Sequence, residues 1–223
     1  MARVCVFDVN ETLLDLAALN PLFTELFGDG ACRQEWFSQV LRTALLATAT
    51  DRYADFGQVG GGALQMVAQR RGVTLPDDAV PTLGARIREL PVHPEVPAAL
   101  DALAEAGLRL ATLTNSPLAT ARAQLDNADL ADRFEAILSA EDAGRLKPAP
   151  APYRRAAEQL GVGVDGIRLV AAHEWDVTGA MRAGCAAAFV GRPGMVLDPL
   201  GEAPDVVGHD LTEVAEAIIA AER

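Results

Sequence analysis

Aromatic side chains are scarce in this chain, 5% of its 223 residues, and cysteine is scarcer, with three in all. Cys5, Cys32 and Cys185 are widely spaced, odd in number and form no CxxC pair. That argues against a disulfide framework or a zinc site and fits free thiols in a reducing compartment. Positive charge is also short: 19 Lys and Arg against 31 Asp and Glu give a net charge of -12. Such a surface repels phosphate backbones and anionic bilayers, so neither nucleic acid nor membrane is expected as a partner. A small anionic substrate stays compatible, because it needs only a locally positive pocket. No run approaches the length of a transmembrane helix. The N-terminus offers only the apolar stretch 4–7 before an acid, so no signal peptide and a cytoplasmic location are expected.

What is present is a chain of 50% hydrophobic content, enough for one core with a modest insertion. Val4, Cys5, Val6 and Phe7 form a short apolar run, the pattern of a buried parallel strand, and it stops at Asp8. Asn10, Glu11 and Thr12 follow as a polar turn. From 16 to 90 the periodicity is helical: helices are expected at 16–27, 33–48, 56–71 and 77–89, closed in two cases by glycine. No strand is expected there. From 91 onward apolar runs at 108–113, 134–138, 167–172, 187–190 and 206–207 alternate with helices at 95–106, 118–126, 153–160, 177–183 and 211–221. This alternation predicts an α/β fold with a doubly wound parallel sheet.

Four polar clusters then fall at strand ends or in a loop leading from one: Asp8 to Thr12, Thr114 to Ser116, Lys147, and His173 to Asp176. In a parallel sheet these ends share one edge, where ligands of open α/β sheets bind. A lone strand-end aspartate is usually just solvated, but this ordered set gathers a carboxylate, hydroxyl and amide donors, a cation and a second carboxylate.

The set resembles the haloacid dehalogenase superfamily, over nearly the whole chain. FDVNETLLD is similar to its first motif, with Asp8 as nucleophile, and LATLTNSP to its second, in which Thr114 and Asn115 would hold the Asp8 carboxylate. GRLKPAPAPY resembles the third, with Lys147 as the cation and Tyr153 placed as in the 2-haloacid dehalogenase branch. VAAHEWDVTGA resembles the fourth, its Trp175-Asp176 pair being characteristic of that branch. The resemblance implies a Rossmann-like core at 1–14 and 91–223 with a helical cap at 15–90. It implies neither metal nor cofactor, and it is compatible with a homodimer.

Two positions after the nucleophile, superfamily phosphatases carry an aspartate that helps hold Mg²⁺ and protonates the leaving alkoxide. Here Asn10 stands there and cannot act as an acid at neutral pH. Halide leaves without a proton, so the resemblance implies a dehalogenase acting on a short 2-haloacid and releasing halide. Asp8 would form an ester, Lys147 would keep Asp8 ionised, and Thr12, Thr114 and Asn115 would orient it. Asp176, with His173, would activate water, or His173 would serve as a hydrogen-bonding support. Val9, Asn10, Trp36, Phe37, Tyr153 and Trp175 would line the substrate site, Trp36 and Phe37 being equally readable as cap core. The branch's carboxylate-binding arginine aligns with Phe37, leaving Arg42 as the nearest alternative. Two other readings stay open: a phosphatase acting on a small ester, and a non-catalytic anion-binding protein.

Overall fold

The computed structural model describes residues 2–222. Strand β1 (Val4–Phe7) sits near the middle of a six-stranded sheet completed by β2 (Leu110–Thr114), β3 (Ala136–Ser139), β4 (Ile167–Ala171), β5 (Ala186–Val190) and β6 (Val206–Gly208). The order is β3-β2-β1-β4-β5-β6 and every pairing is parallel. The chain winds outward from β1 through β2 and β3, then returns to β4 and winds the other way. The crevice at the carboxyl ends of β1 and β4 is therefore the topological switch point.

Burial on both faces explains why these strands read as continuous apolar runs rather than alternating ones. On β1, Cys5 and Phe7 point into one core and Val4 and Val6 into the other. The first core lies under α5 (Val96–Glu105) and α9 (Leu211–Ala221), and the second under α7 (Pro150–Leu160) and α8 (Glu174–Ala183). α6 (Leu118–Asn127) follows β2. Between β1 and β2 the chain forms α1 (Asn20–Phe27), α2 (Cys32–Ala49), α3 (Phe56–Arg71) and α4 (Ala79–Arg88), with no named strand among the described residues there. The apolar stripe of these helices joins the first core, through Phe23, Trp36, Leu64 and Leu83. Where the chain leaves and re-enters the sheet layer its two crossings pair: Asp15 N–H donates to Pro91 O at 2.8 Å and His93 N–H to Leu13 O at 3.0 Å. No helix among the described residues is long and apolar enough to cross a membrane.

Two helices begin earlier than the periodicity predicts, and both differences matter for the site. α7 starts at Pro150, not 153, because proline at the first helical position gives up only an N–H that would be unpaired anyway. α8 starts at Glu174, not 177, with His173 as its extended N-cap. Glu174 and Asp176 in the first turn suit the positive end of the helix dipole. The polar cluster 173–176 is thus a rigid helix start rather than a loop.

Gly179 of α8 packs against the Lys147 loop so closely that a Cβ there would sit 2.4 Å from Pro148 Cβ and 2.8 Å from the Tyr153 hydroxyl. Gly179→Ala is therefore expected to destabilise the fold by about 1–3 kcal/mol, the usual cost of overpacking, and to displace Lys147. Chemical denaturation checks the stability, and a loss of activity out of proportion to it checks the displacement.

Candidate active site

Asp8 follows β1 directly and is 5% exposed. Its Oδ1 accepts from Lys147 Nζ at 2.9 Å and its Oδ2 from the Thr12 hydroxyl at 2.8 Å. The same Thr12 oxygen accepts the Ala172 N–H at 3.0 Å, which ties the β1 turn to the end of β4. Lys147 spends its three ammonium protons on Asp8, on Asp176 Oδ2 at 2.5 Å and on the Leu113 carbonyl at 2.8 Å. Asp176 Oδ1 accepts from the Tyr153 hydroxyl at 2.6 Å. Burial alone would raise the pKa of Asp8, but the charges of Lys147 and His173 hold it well below the usual carboxylate range. Burial raises Asp176 despite the pull of Lys147, and the charge of Asp8 adds to the rise. Tyr153, pushed up by burial and by Asp176, stays a proton donor.

On its other side Asp8 faces His173, whose Nδ1 lies 3.4 Å from Oδ2. His173 Nε2 donates to Glu11 Oε2 at 2.9 Å, and Glu11 Oε1 accepts from Arg33 Nη1 of α2 at 3.1 Å. Burial alone would favour a neutral ring, but Asp8 and Glu11 push His173 up to about 10. At neutral pH it is an imidazolium, a cation and donor with no free lone pair for a water proton. Arg33, Glu11, His173, Asp8, Lys147 and Asp176 therefore form a line in which three cations alternate with three carboxylates. Glu11 adopts a left-handed backbone (φ 63°), an uncommon state for a side-chain-bearing residue, held here by its two ionic partners.

The cavity beside Asp8 is small, about 20 Å³. Asn10, Phe37, Leu41, Phe56, Thr114, Asn115, His173 and Trp175 line it with Asp8. Phe37 and Trp175 flank the imidazolium, with ring centroids 5.7 and 5.2 Å from it. The Trp175 indole N–H is buried without a partner.

Several expected roles find no support in the geometry. The side chains of Thr114 and Asn115 do not hold the Asp8 carboxylate. Asn115 instead staples the Lys147 backbone, accepting from its N–H at 2.8 Å, and Thr114 Oγ1 accepts the Ser116 N–H at 3.1 Å. Asn10 uses its amide on Ser116 and Gln124, at 3.1 and 2.8 Å. Val9 turns into the core, and Tyr153 lies behind Asp176, not in the cavity. Trp36 lies outside this small cavity: its indole donates to Gly60 O at 2.9 Å and its ring lines the neighbouring, larger one. Arg42 lies with Gln39 and Arg70 in a separate surface cleft, because five residues of helix turn it well away from Phe37. Glu11 and Arg33 were missed. A charged residue in the otherwise apolar stripe of α2 was the available signal for Arg33.

A family model described as haloacid dehalogenase-like hydrolase matches residues 2–184. The chain belongs to that family. The hydrolase is 30% identical to an (S)-2-haloacid dehalogenase of Pseudomonas sp. (strain YL), over 94% of this chain and 91% of the relative. It is 28% identical to another from Pseudomonas putida, over 96% of both. A solved L-2-haloacid dehalogenase of Xanthobacter autotrophicus, with chloropropionic acid covalently bound, superimposes with a TM-score of 0.91 at 26% identity, over 98% of both chains. These likenesses put the hydrolase in the L-2-haloacid dehalogenase branch.

Removing the buried ammonium leaves two carboxylates facing each other, so Lys147→Met is expected to cost about 3–5 kcal/mol. Adding Asp176→Asn should restore part of that loss, which a double-mutant cycle in denaturant measures. His173 gives a second test. Its pKa is raised on folding, so its stabilisation is complete below the unfolded value near 6.5 and is lost as pH rises through about 10. Unfolding free energy should fall by on the order of 1 kcal/mol per pH unit across that window, and the slope should vanish in His173→Asn.

Proposed function

We propose that this hydrolase removes halide from a short 2-haloacid, with Asp8 as nucleophile and an aspartyl ester as intermediate. The observation that carries the reading is the enclosure of Asp8: an ionised carboxylate between two cations, in a cavity of about 20 Å³. A desolvated carboxylate is a stronger nucleophile than a hydrated one, and Lys147 and His173 keep it ionised without covering it completely. One Asp8 oxygen attacks the halogen-bearing carbon, the carbon–halogen bond breaks, and halide departs with the bonding pair. The buried, unpartnered Trp175 N–H is a donor for that halide. Water then adds to the Asp8 carboxyl carbon; the 2-hydroxy acid leaves with the original Asp8 oxygen, and one proton is released.

His173 acts here as a cation that stabilises the oxyanion of the second step, not as its base. Asp176 is the remaining group able to receive the water proton. Since Lys147 and Tyr153 occupy its oxygens at 2.5 and 2.6 Å, it does so only as these bonds adjust. The 15–90 segment serves as the cap, placing Phe37, Leu41 and Phe56 over the nucleophile. With Phe37 where the branch carries arginine, the substrate carboxylate relies on His173 and on the backbone of 114–116. The buried free thiols support a cytoplasmic setting.

Asn10 favours this reading over phosphate-ester hydrolysis. Its amide is locked by Ser116 and Gln124 at a position where an acid would have to donate a proton. Halide and phosphate release, assayed in parallel with and without Mg²⁺ on a panel running from fluoroacetate to 2-bromopropionate, should give metal-independent halide alone. Single turnover in heavy-oxygen water should place the label in Asp8; label only in the product would overturn the ester. Asp8→Asn should lower turnover by at least about 10³-fold, as loss of a covalent nucleophile does.

A further inference from the structure

The Asp8 cavity, at about 20 Å³, is room for little more than one water molecule, so any side chain on the substrate's reacting carbon must extend elsewhere. A second cavity of about 140 Å³ adjoins it, between α2, α3, α4 and the start of α6. Asn10, Phe37 and Phe56 line both spaces. The walls of the larger one are otherwise mostly apolar, Trp36, Val40, Leu83 and Ile87 among them, and Arg88 is its only charged lining residue. An apolar cavity of about 150 Å³ in another protein stays dry and takes up benzene, so this volume matches a phenyl ring or a branched alkyl group of similar size.

Two glycines keep the chamber open. A Cβ on Gly60 would meet only the Trp36 ring, at 3.8 Å, and one on Gly84 only the Arg88 guanidinium, at 3.9 Å. Both distances are ordinary van der Waals contact, so packing does not demand glycine at either position. Gly61 differs, since its Cβ would fall 2.9 Å from Val80. Glycine within a helix weakens it, and Gly60 of α3 and Gly84 of α4 both line the chamber. What they preserve is volume.

We infer that this chamber, bounded by Gly60, Gly84, Trp36 and Phe37, receives an apolar, roughly benzene-sized substituent carried on the substrate's halogen-bearing carbon. The inference rests on the dehalogenase reading and narrows it to 2-haloacids with a bulky hydrocarbon side chain. Halide release from 2-chloro-3-phenylpropionate and from 2-chloropropionate tests it. The phenyl substrate should be favoured in kcat/KM by roughly tenfold or more, a modest return for burying a ring. Gly84→Leu, which fills the chamber, should cut that preference by roughly tenfold. A preference for the methyl substrate, or a ratio unmoved by a folded Gly84→Leu protein, would overturn the inference; Gly60→Ala serves if Gly84→Leu does not fold. Should neither substrate release halide, the dehalogenase reading fails and the chamber is judged by calorimetry. Binding of 3-phenylpropionate but not propionate, weakened by the same substitution, would keep it, and no binding would dismiss it.

Discussion

One buried ammonium organises this molecule. Lys147 joins Asp8 at the end of β1 to Asp176 at the start of α8 and donates to one carbonyl of β2, that of Leu113. Enclosing a lysine and two aspartates is costly unless every charge is met and every donor used, and here all three ammonium protons are placed. The surrounding chain is arranged to hold that one atom. Asn115 grips the Lys147 backbone, Tyr153 steadies Asp176, and Gly179 lets α8 approach the loop. Stability and chemistry draw on the same contacts, because the ammonium that satisfies two buried carboxylates is also what leaves Asp8 ionised.

A second cation flanks Asp8: Phe37 packs against His173, and His173 Nδ1 faces the Asp8 carboxylate from the core side. His173 is held charged by Glu11, and Glu11 is in turn neutralised by Arg33 from α2. An ionic connection thus runs from α2 to Asp8, although the side chains α2 places in the cavity lining are the apolar Phe37 and Leu41.

Much of this was legible in the sequence. Apolar runs bounded by glycine marked the strands and helices, because parallel strands buried on both faces leave an unbroken hydrophobic signal. Lys147 could be paired with Asp8 because superfamily motifs carry that information. The ends of elements were harder: Pro150 opens α7 through two prolines that read as helix breakers, and Glu174 opens α8 inside a cluster that reads as a polar turn. Side-chain allegiance was harder still. Thr114 and Asn115 sit beside Asp8 but spend their polar groups on neighbouring backbone, a choice decided by angles no one-dimensional pattern contains. Glu11 and Arg33 were hidden for the same reason, since an ion pair between a turn and a helix 22 residues apart has no spacing rule.

The claim on which everything rests is that Asp8 is already an ionised, desolvated carboxylate before substrate arrives. Isotope-edited infrared difference spectroscopy, with carbon-labelled aspartate and Asp8→Asn as reference, observes that carboxylate directly. The account predicts an ionised band that persists as pH is lowered through the ordinary aspartate value of about 3.9, for as long as the protein stays folded. A protonated carboxyl band from Asp8 appearing at or above that pH would contradict it.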